Sequence, residues 1–338
     1  MKIMIVTDAW EPQVNGVVRT LKMTTRELRA MGHTTHILSP LDFKSVPCPT
    51  YPEISLALAT RAAAARRIDA VGPDCLHIAT EGPLGWAARG VAMRRGWPFT
   101  TAYHSRFPEY VHARVRLPVD WSYALLRKFH NAGEGTLAPT PAIVDDLKAR
   151  GFKRARLWSR GVNLDAFSPE GPRLERGAGP VFLYVGRLAV EKQVHKFLEL
   201  DLPGEKWVAG TGPEEAKLKA RYPNARWFGV MSGDDLAAVY RTADVMVFPS
   251  VTDTFGLVMA ESMACGTPVA AYPVPGPIDV VGHASPGGAI DMDLRAACLA
   301  ALGKPRDGVR RHAEQFNWPQ ASRQFEQALV PIRQVNRR

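Results

Sequence analysis

With 338 residues, 46% hydrophobic and 22% charged, the chain has an ordinary globular balance that excludes a disordered or fibrous protein. Its length implies two domains of about 150 residues each. No apolar run approaches the roughly 20 residues needed to cross a bilayer, and Met1–Val6 is too short for a signal peptide, so a cytosolic chain is expected. Cys48, Cys75, Cys265 and Cys298 lie far apart with no CxxC pair, which argues against a zinc site or a disulfide framework. The net charge of +10 is uneven: residues 1–168 hold 23 Lys and Arg against 14 Asp and Glu, whereas 169–338 hold 20 against 19. An excess confined to one half suggests that this half meets an anionic surface or substrate.

Met1–Thr7 is a short apolar run without alternation, as in a strand buried on both faces. Val17, Val18, Leu21 and Leu28 then recur at helical spacing, Gly32 supplies a stop, and 34–39 reads as the next strand. The alternation continues with a strand at 75–78, a helix at 84–95, strands at 99–103 and 136–138, and a helix at 143–149. Residues 169–180 are rich in proline and glycine and are expected to be a linker. Beyond them the rhythm restarts, with strands at 181–185, 206–209, 225–228, 245–248 and 269–271. Helices are expected at 190–199, 214–221, 234–241 and 257–264, and 318–338 reads as a closing helix.

Strands separated by helices imply parallel sheets, so the fold class is α/β, with two doubly wound Rossmann-like domains at 1–168 and 181–317 facing across a cleft. Such sheets bind ligands at the carboxyl ends of their strands. The first of these turns ends in Asn15-Gly16, where backbone N–H groups can approach a ligand at a helix start. In the second half, Gly186-Arg187-Leu188-Ala189-Val190-Glu191-Lys192 places two cations around a helix start, suited to a diphosphate. Gly210-Thr211-Gly212 follows the next strand. The loop 249–256 and the helix after it offer Asp253 and Glu261 for sugar and ribose hydroxyls, and the Phe255, Gly256 and Leu257 amides for phosphate charge.

Residues 186–192 and 249–261 resemble the GRLxxEK and E-x7-E signatures of glycosyltransferase family 4, which are retaining enzymes of the GT-B fold. Residues 160–169 are similar to that family's interdomain segment, and Ala102-Tyr103-His104-Ser105 to its N-domain His motif. Within the family, 252–258 and 271–277 look closest to bacterial and plastid lipid glycosyltransferases such as the sulfoquinovosyl and glycosyl diacylglycerol synthases.

The resemblance implies that Arg187 and Lys192 neutralise a donor diphosphate, with Gly186 beside them. It places Glu261 on the ribose, Val230 near the base, and Asp253 with 255–257 on the donor sugar. Gly16 would let the N-domain loop close over the donor, and His104 would contact the sugar or the reaction centre. It implies a nucleotide-sugar donor, of UDP-glucose, -galactose or -glucuronate type, as substrate, and no metal or other cofactor, since Arg187 and Lys192 carry the charge a metal would bring. Two departures stand out: Asp253 replaces the Glu of much of the family, and the region between Lys192 and Lys206 is short.

Residues 106–130 mix Arg114, Arg116, Arg127 and Lys128 with Phe107, Tyr110, Trp121, Tyr123 and Phe129, a composition suited to an anionic membrane surface. With the basic first half, this favours a lipid acceptor such as diacylglycerol and a peripheral place on the inner membrane face, with no nucleic-acid partner. Glu81 and Arg106 are candidate acceptor contacts. Asp291-Met292-Asp293 has the form of a metal-binding DxD, but its position favours a helix cap. The alternatives are a GDP-mannose-dependent mannosyltransferase acting on a phosphoinositide or polysaccharide, an NAD-dependent oxidoreductase, disfavoured by the lack of GxGxxG in either half, and a non-catalytic membrane-binding protein.

Overall fold

The computed structural model describes every residue except 14, 49–50, 111–115, 283, 285 and 333–338. The chain forms two compact units. The first comprises Met1–Ser159 together with the segment from Trp318, and the second Arg160–Asn317.

The first unit is built on a six-stranded parallel sheet in the order β2-β1-β5-β6-β7-β8. Its strands are β1 (Lys2–Val6), β2 (Thr34–Leu38), β5 (Cys75–Ile78), β6 (Thr100–Ala102), β7 (Gly135–Ala138) and β8 (Ala155–Leu157). A separate antiparallel pair, β3 (Ser45–Cys48) and β4 (Tyr51–Ala57), is inserted before the helix Arg61–Val71. From Ile3 to Val6, β1 is buried throughout because helices cover both sheet faces, and its partners are Thr34–Leu38 on one side and Cys75–Ile78 on the other. The strand order reverses between β1 and β5, the position at which open α/β sheets bind ligands.

The helix Trp318–Ala328 belongs to this unit. Phe325 is fully buried with Ile3, Ile5, Leu21 and Trp158, Gln324 accepts from the Ser159 amide at 2.8 Å, and Glu326 pairs with His33 at 2.8 Å. The closing helix is shorter than 318–338, and residues 333–338 lie outside the described residues.

The second unit repeats the plan in the order β11-β10-β9-β12-β13-β14. The strands are β9 (Val181–Val185), β10 (Glu205–Ala209), β11 (Arg226–Gly229), β12 (Val245–Phe248), β13 (Val269–Ala271) and β14 (Gly288–Ile290). Its reversal falls between β9 and β12, paired through Val245↔Phe182 and Met246↔Leu183.

Two expectations change, and the cap expected at Asp291–Asp293 is present. The break between units falls at Ser159/Arg160, and 169–180 is part of the second unit. Leu174 donates its amide to Thr242 at 2.7 Å, Arg176 pairs with Asp244, and Arg241 donates to the carbonyls of Ser168 and Pro172. Residues 190–199 form two pieces, a 3₁₀ turn Val190–Lys192 and a helix Val194–Leu198, because Gln193 between them is left-handed at φ 50°. Asp293 is the N-cap of the helix Leu294–Leu302, accepting from the Arg295 amide at 2.9 Å, so the DxD serves as a cap.

Candidate active site

In the second unit, the loops after β9 and β12 meet across the strand-order reversal. Lys192, at the end of its 3₁₀ turn, donates from Nζ to Asp253 Oδ1 at 2.5 Å, and Thr252 Oγ1 donates to the Glu191 carbonyl at 3.4 Å. Both charged side chains are about four-fifths buried, at 21% and 18% exposure. Asp253 Oδ2 is buried and has no hydrogen-bond partner among the described residues, so this carboxylate keeps an acceptor position for a ligand hydroxyl.

Beside the pair begins the helix Leu257–Ala264, with Gly256 as a left-handed N-cap that offers no side chain to its amides. The N–H groups of Phe255, Gly256 and Leu257 have no acceptor among the described residues. Unpaired amides at a helix start favour an anion, and a neighbouring ammonium strengthens that preference. Glu261 sits one turn further in, 2% exposed, accepting from the Tyr240 hydroxyl at 3.2 Å.

Close backbone packing fixes the two loops. Gly276, in the turn after β13, lies so near Asp253 that a Cβ there would come within 2.6 Å of the Asp253 carbonyl oxygen. Gly210, after β10, faces the Gly186 carbonyl, and a Cβ would lie 1.9 Å from that oxygen. Around it the Leu188 amide donates to Thr211 O at 2.9 Å and the Gly186 amide to Ala209 O at 3.0 Å. The buried Tyr184 hydroxyl donates to Arg187 O at 2.8 Å, and burial holds this phenol well above its usual pKa. The Gly186–Leu188 backbone is thereby held on both sides. Val230 follows β11 and is 72% exposed, at the carboxyl end of the outermost strand of this sheet.

In the first unit the carboxyl ends of β1, β5 and β6 carry the other expected residues. Gly16 is the exposed first residue of the helix Gly16–Ala30. The next two amides, Val17 and Val18, already donate to the capping Asn15 Oδ1 at 3.0 Å, so they are engaged within the chain. His104 lies beyond β6 with its ring edge to Trp158 at 5.6 Å between centroids. Arg106 is mostly buried and donates to Asp146 at 3.2 Å with Glu109 at 3.8 Å, an ion-pair cluster internal to this unit. Glu81, just past β5, accepts from His130 Nε2 at 3.0 Å.

The sequence reading missed Asp8, directly after β1. Its carboxylate accepts from the Leu84 and Gly85 amides at 2.8 and 3.1 Å and from Thr80 Oγ1 at 2.8 Å, capping the helix Pro83–Arg95 across the β1/β5 reversal. An aspartate immediately after a buried strand was the available signal. Burial raises its pKa despite these donors. Above about pH 4 the unfolded chain has released this proton while the folded protein still holds it, so the Asp8 contribution to stability falls as pH rises through that window. The melting temperature of Asp8→Asn minus that of the parent should therefore increase with pH from about 4 towards neutrality; a constant difference across a pH series contradicts this.

The 106–130 segment divides. Tyr123 and Phe129 are core residues, whereas Phe107 and Trp121 are exposed, Trp121 at 72%. On the helix Val119–His130, Trp121, Leu125 and Lys128 are exposed at i, i+4 and i+7, opposite the buried Tyr123, Leu126 and Phe129. Arg114 lies outside the described residues. Among the described residues no helix is long and apolar enough to cross a membrane, and no three His, Cys, Asp or Glu side chains are grouped to hold a metal.

Two parallel-sheet units, one with unpaired helix-start amides and a cation–carboxylate pair at its strand-order reversal, have the architecture of the GT-B fold. Residues 14–166 match the family model Glycosyltransferase Family 4, and 172–301 match Glycosyl transferases group 1. The chain belongs to this glycosyltransferase family. It is 31% identical to the sulfoquinovosyl transferase SQD2 of Arabidopsis thaliana, over 91% of this chain and 69% of that protein. It is 28% identical to a GDP-mannose-dependent alpha-mannosyltransferase of Mycobacterium tuberculosis, over 83% and 81%, and 26% identical to the alpha-monoglucosyldiacylglycerol synthase of Streptococcus pneumoniae, over 89% and 78%. Among solved structures, sucrose-phosphate synthase from Thermosynechococcus elongatus superposes with a TM-score of 0.77 at 20% identity, covering 96% of this chain and 97% of that one.

Proposed function

We propose that the protein is a retaining, metal-independent hexosyltransferase that moves a sugar from a UDP-sugar onto a membrane lipid such as diacylglycerol. The observation that carries the donor half is the Lys192–Asp253 pair beside three unpaired amides at the start of Leu257–Ala264. The ammonium, Arg187 and the amides would hold the diphosphate and stabilise it as it leaves, while Asp253 would take the sugar hydroxyls. Glu261 would serve the ribose, Val230 the base, and His104 the reacting sugar. The relative named an alpha-monoglucosyldiacylglycerol synthase supports the lipid acceptor.

The exposed face of Trp121, Leu125 and Lys128, in the unit that holds most of the positive charge, suits docking to an anionic bilayer from the cytoplasmic side. Burying an indole and a Leu side chain is worth a few kcal/mol, so Trp121→Ala with Leu125→Ser should weaken binding to phosphatidylglycerol vesicles by roughly tenfold or more, with the fold intact. Equal sedimentation with vesicles for parent and variant contradicts the docking face.

The assay for the whole proposal offers a panel of nucleotide sugars with diacylglycerol in anionic vesicles and EDTA, read by mass spectrometry. A glycolipid of hexose mass from a UDP-sugar, with the anomeric configuration of the donor, is expected. Product only with soluble acceptors, or only with added divalent metal, overturns the corresponding part. A second reading, GDP-mannose-dependent mannosyl transfer, is favoured by the mycobacterial relative and predicts product from GDP-mannose alone.

A further inference from the structure

His130 is a fully buried histidine at the end of the helix Val119–His130, lying among the rings of Phe129, Tyr103 and Phe152 at 5.1 to 6.4 Å between centroids. An imidazole in aromatic surroundings costs free energy unless both nitrogens are satisfied. Here both are: Nδ1 lies 2.8 Å from Thr101 Oγ1 and Nε2 lies 3.0 Å from Glu81 Oε1. One proton arrangement serves a neutral ring beside a carboxylate. The Thr101 hydroxyl, whose other contacts are longer at 3.3 and 3.4 Å, donates to Nδ1, and the Nε2–H donates to Glu81. This relay links β6 to the loop that follows β5.

The same loop is tied at its other end. Thr80 and the Leu84 and Gly85 amides all donate to Asp8, and a Cβ on Gly82 would come within 2.4 Å of the Asp8 carboxyl carbon. Glu81 is thus fixed between Asp8 and His130 at the strand-order reversal of its sheet, partly exposed, and Oε2 has no hydrogen-bond partner among the described residues. A capping role does not account for this carboxylate, because Asp8 already takes the helix amides. What remains is a rigid, solvent-reaching acceptor of one hydrogen bond. Such a group suits transfer to a lipid, since the incoming nucleophile is a hydroxyl whose lone pair must face the anomeric carbon and whose O–H an acceptor can hold in that orientation.

We infer that Glu81 Oε2 accepts a hydrogen bond from the hydroxyl that receives the sugar, and that His130 is a positioning residue acting through Glu81. The inference rests on the glycosyltransferase reading of the preceding section.

The test compares Glu81→Gln, His130→Leu and His130→Gln, measuring transfer from the donor that the parent uses and, separately, UDP binding by calorimetry. Glu81→Gln and His130→Leu should each lower kcat/KM for the acceptor at least tenfold, with UDP affinity within twofold of the parent. His130→Gln, whose side-chain N–H replaces that of Nε2, should recover most of the activity lost in His130→Leu. Should His130→Leu fail to fold, Glu81→Gln against His130→Gln still decides. Unchanged transfer by Glu81→Gln in an active preparation overturns the inference alone. Loss in His130→Gln equal to that in His130→Leu overturns the positioning role. No product from the parent with any donor and acceptor overturns the inference together with the reading beneath it.

Discussion

Lys192→Ala is expected to lower kcat/KM by about a thousandfold, some 4 kcal/mol, and to weaken nucleoside diphosphate binding as well. Two losses combine. The first is the cation beside the amides of Phe255, Gly256 and Leu257, where the proposed reaction would build negative charge on the leaving diphosphate. The second is the partner of Asp253: without the ammonium at 2.5 Å, a mostly buried carboxylate stands next to an anionic ligand with nothing to offset it. The pair therefore gives a non-additive cycle. Lys192→Ala with Asp253→Asn should cost less than the product of the two single effects, because neutralising Asp253 removes the repulsion that Lys192→Ala exposes. Lys192→Arg should recover little, since a planar guanidinium does not fit the place of a compact ammonium. Steady-state kinetics on the four proteins of the cycle checks this, and additive effects would show that the pair does not act as a unit.

The second large effect is expected from a residue that carries no chemistry. Gly210→Ala puts a methyl group 1.9 Å from the Gly186 carbonyl oxygen, on a backbone at φ 140° that L residues rarely adopt. Neither loop can yield freely, because the Leu188 and Gly186 amides are bonded to Thr211 and Ala209. The Gly186–Leu188 backbone must shift and carry Arg187 with it, and a displacement of about 1 Å at a reacting group costs on the order of a hundredfold in rate. Gly303→Ala is the control: its Cβ would meet nothing nearer than 3.8 Å, so activity and melting temperature should match the parent. Gly210→Ala at parental activity would contradict the claim that the β10 loop positions Arg187.

What the sequence disclosed followed the physics of burial. Strands covered on both faces, such as Val181–Val185 and Val245–Phe248, read as uninterrupted apolar runs and fall where periodicity places them. The β3–β4 pair was hidden by Pro47 and Pro52, which argue against a strand interior although an isolated two-stranded pair tolerates them. The helix Arg61–Val71 was hidden because it buries only Ala64 and Ile68, too few apolar positions to mark a face. At the site, the motif residues were legible singly and their joining was not. Lys192 and Asp253 are 61 positions apart, and their contact depends on β9 lying beside β12, an adjacency that no local pattern encodes. The same holds for Glu81 and His130, 49 positions apart, and for Asp8 with Leu84. His130 was not singled out in the sequence, since nothing near it along the chain announces a carboxylate partner.

The central claim is that the loops after β9 and β12 hold a nucleoside diphosphate. It is tested most directly by titrating UDP, GDP and ADP into the protein and into Lys192→Ala by calorimetry in EDTA. The account predicts binding of UDP by the parent and a loss of at least tenfold in affinity in Lys192→Ala, whose melting temperature without ligand should stay near that of the parent. No binding of any nucleoside diphosphate, or equal affinity in the two proteins, would contradict it.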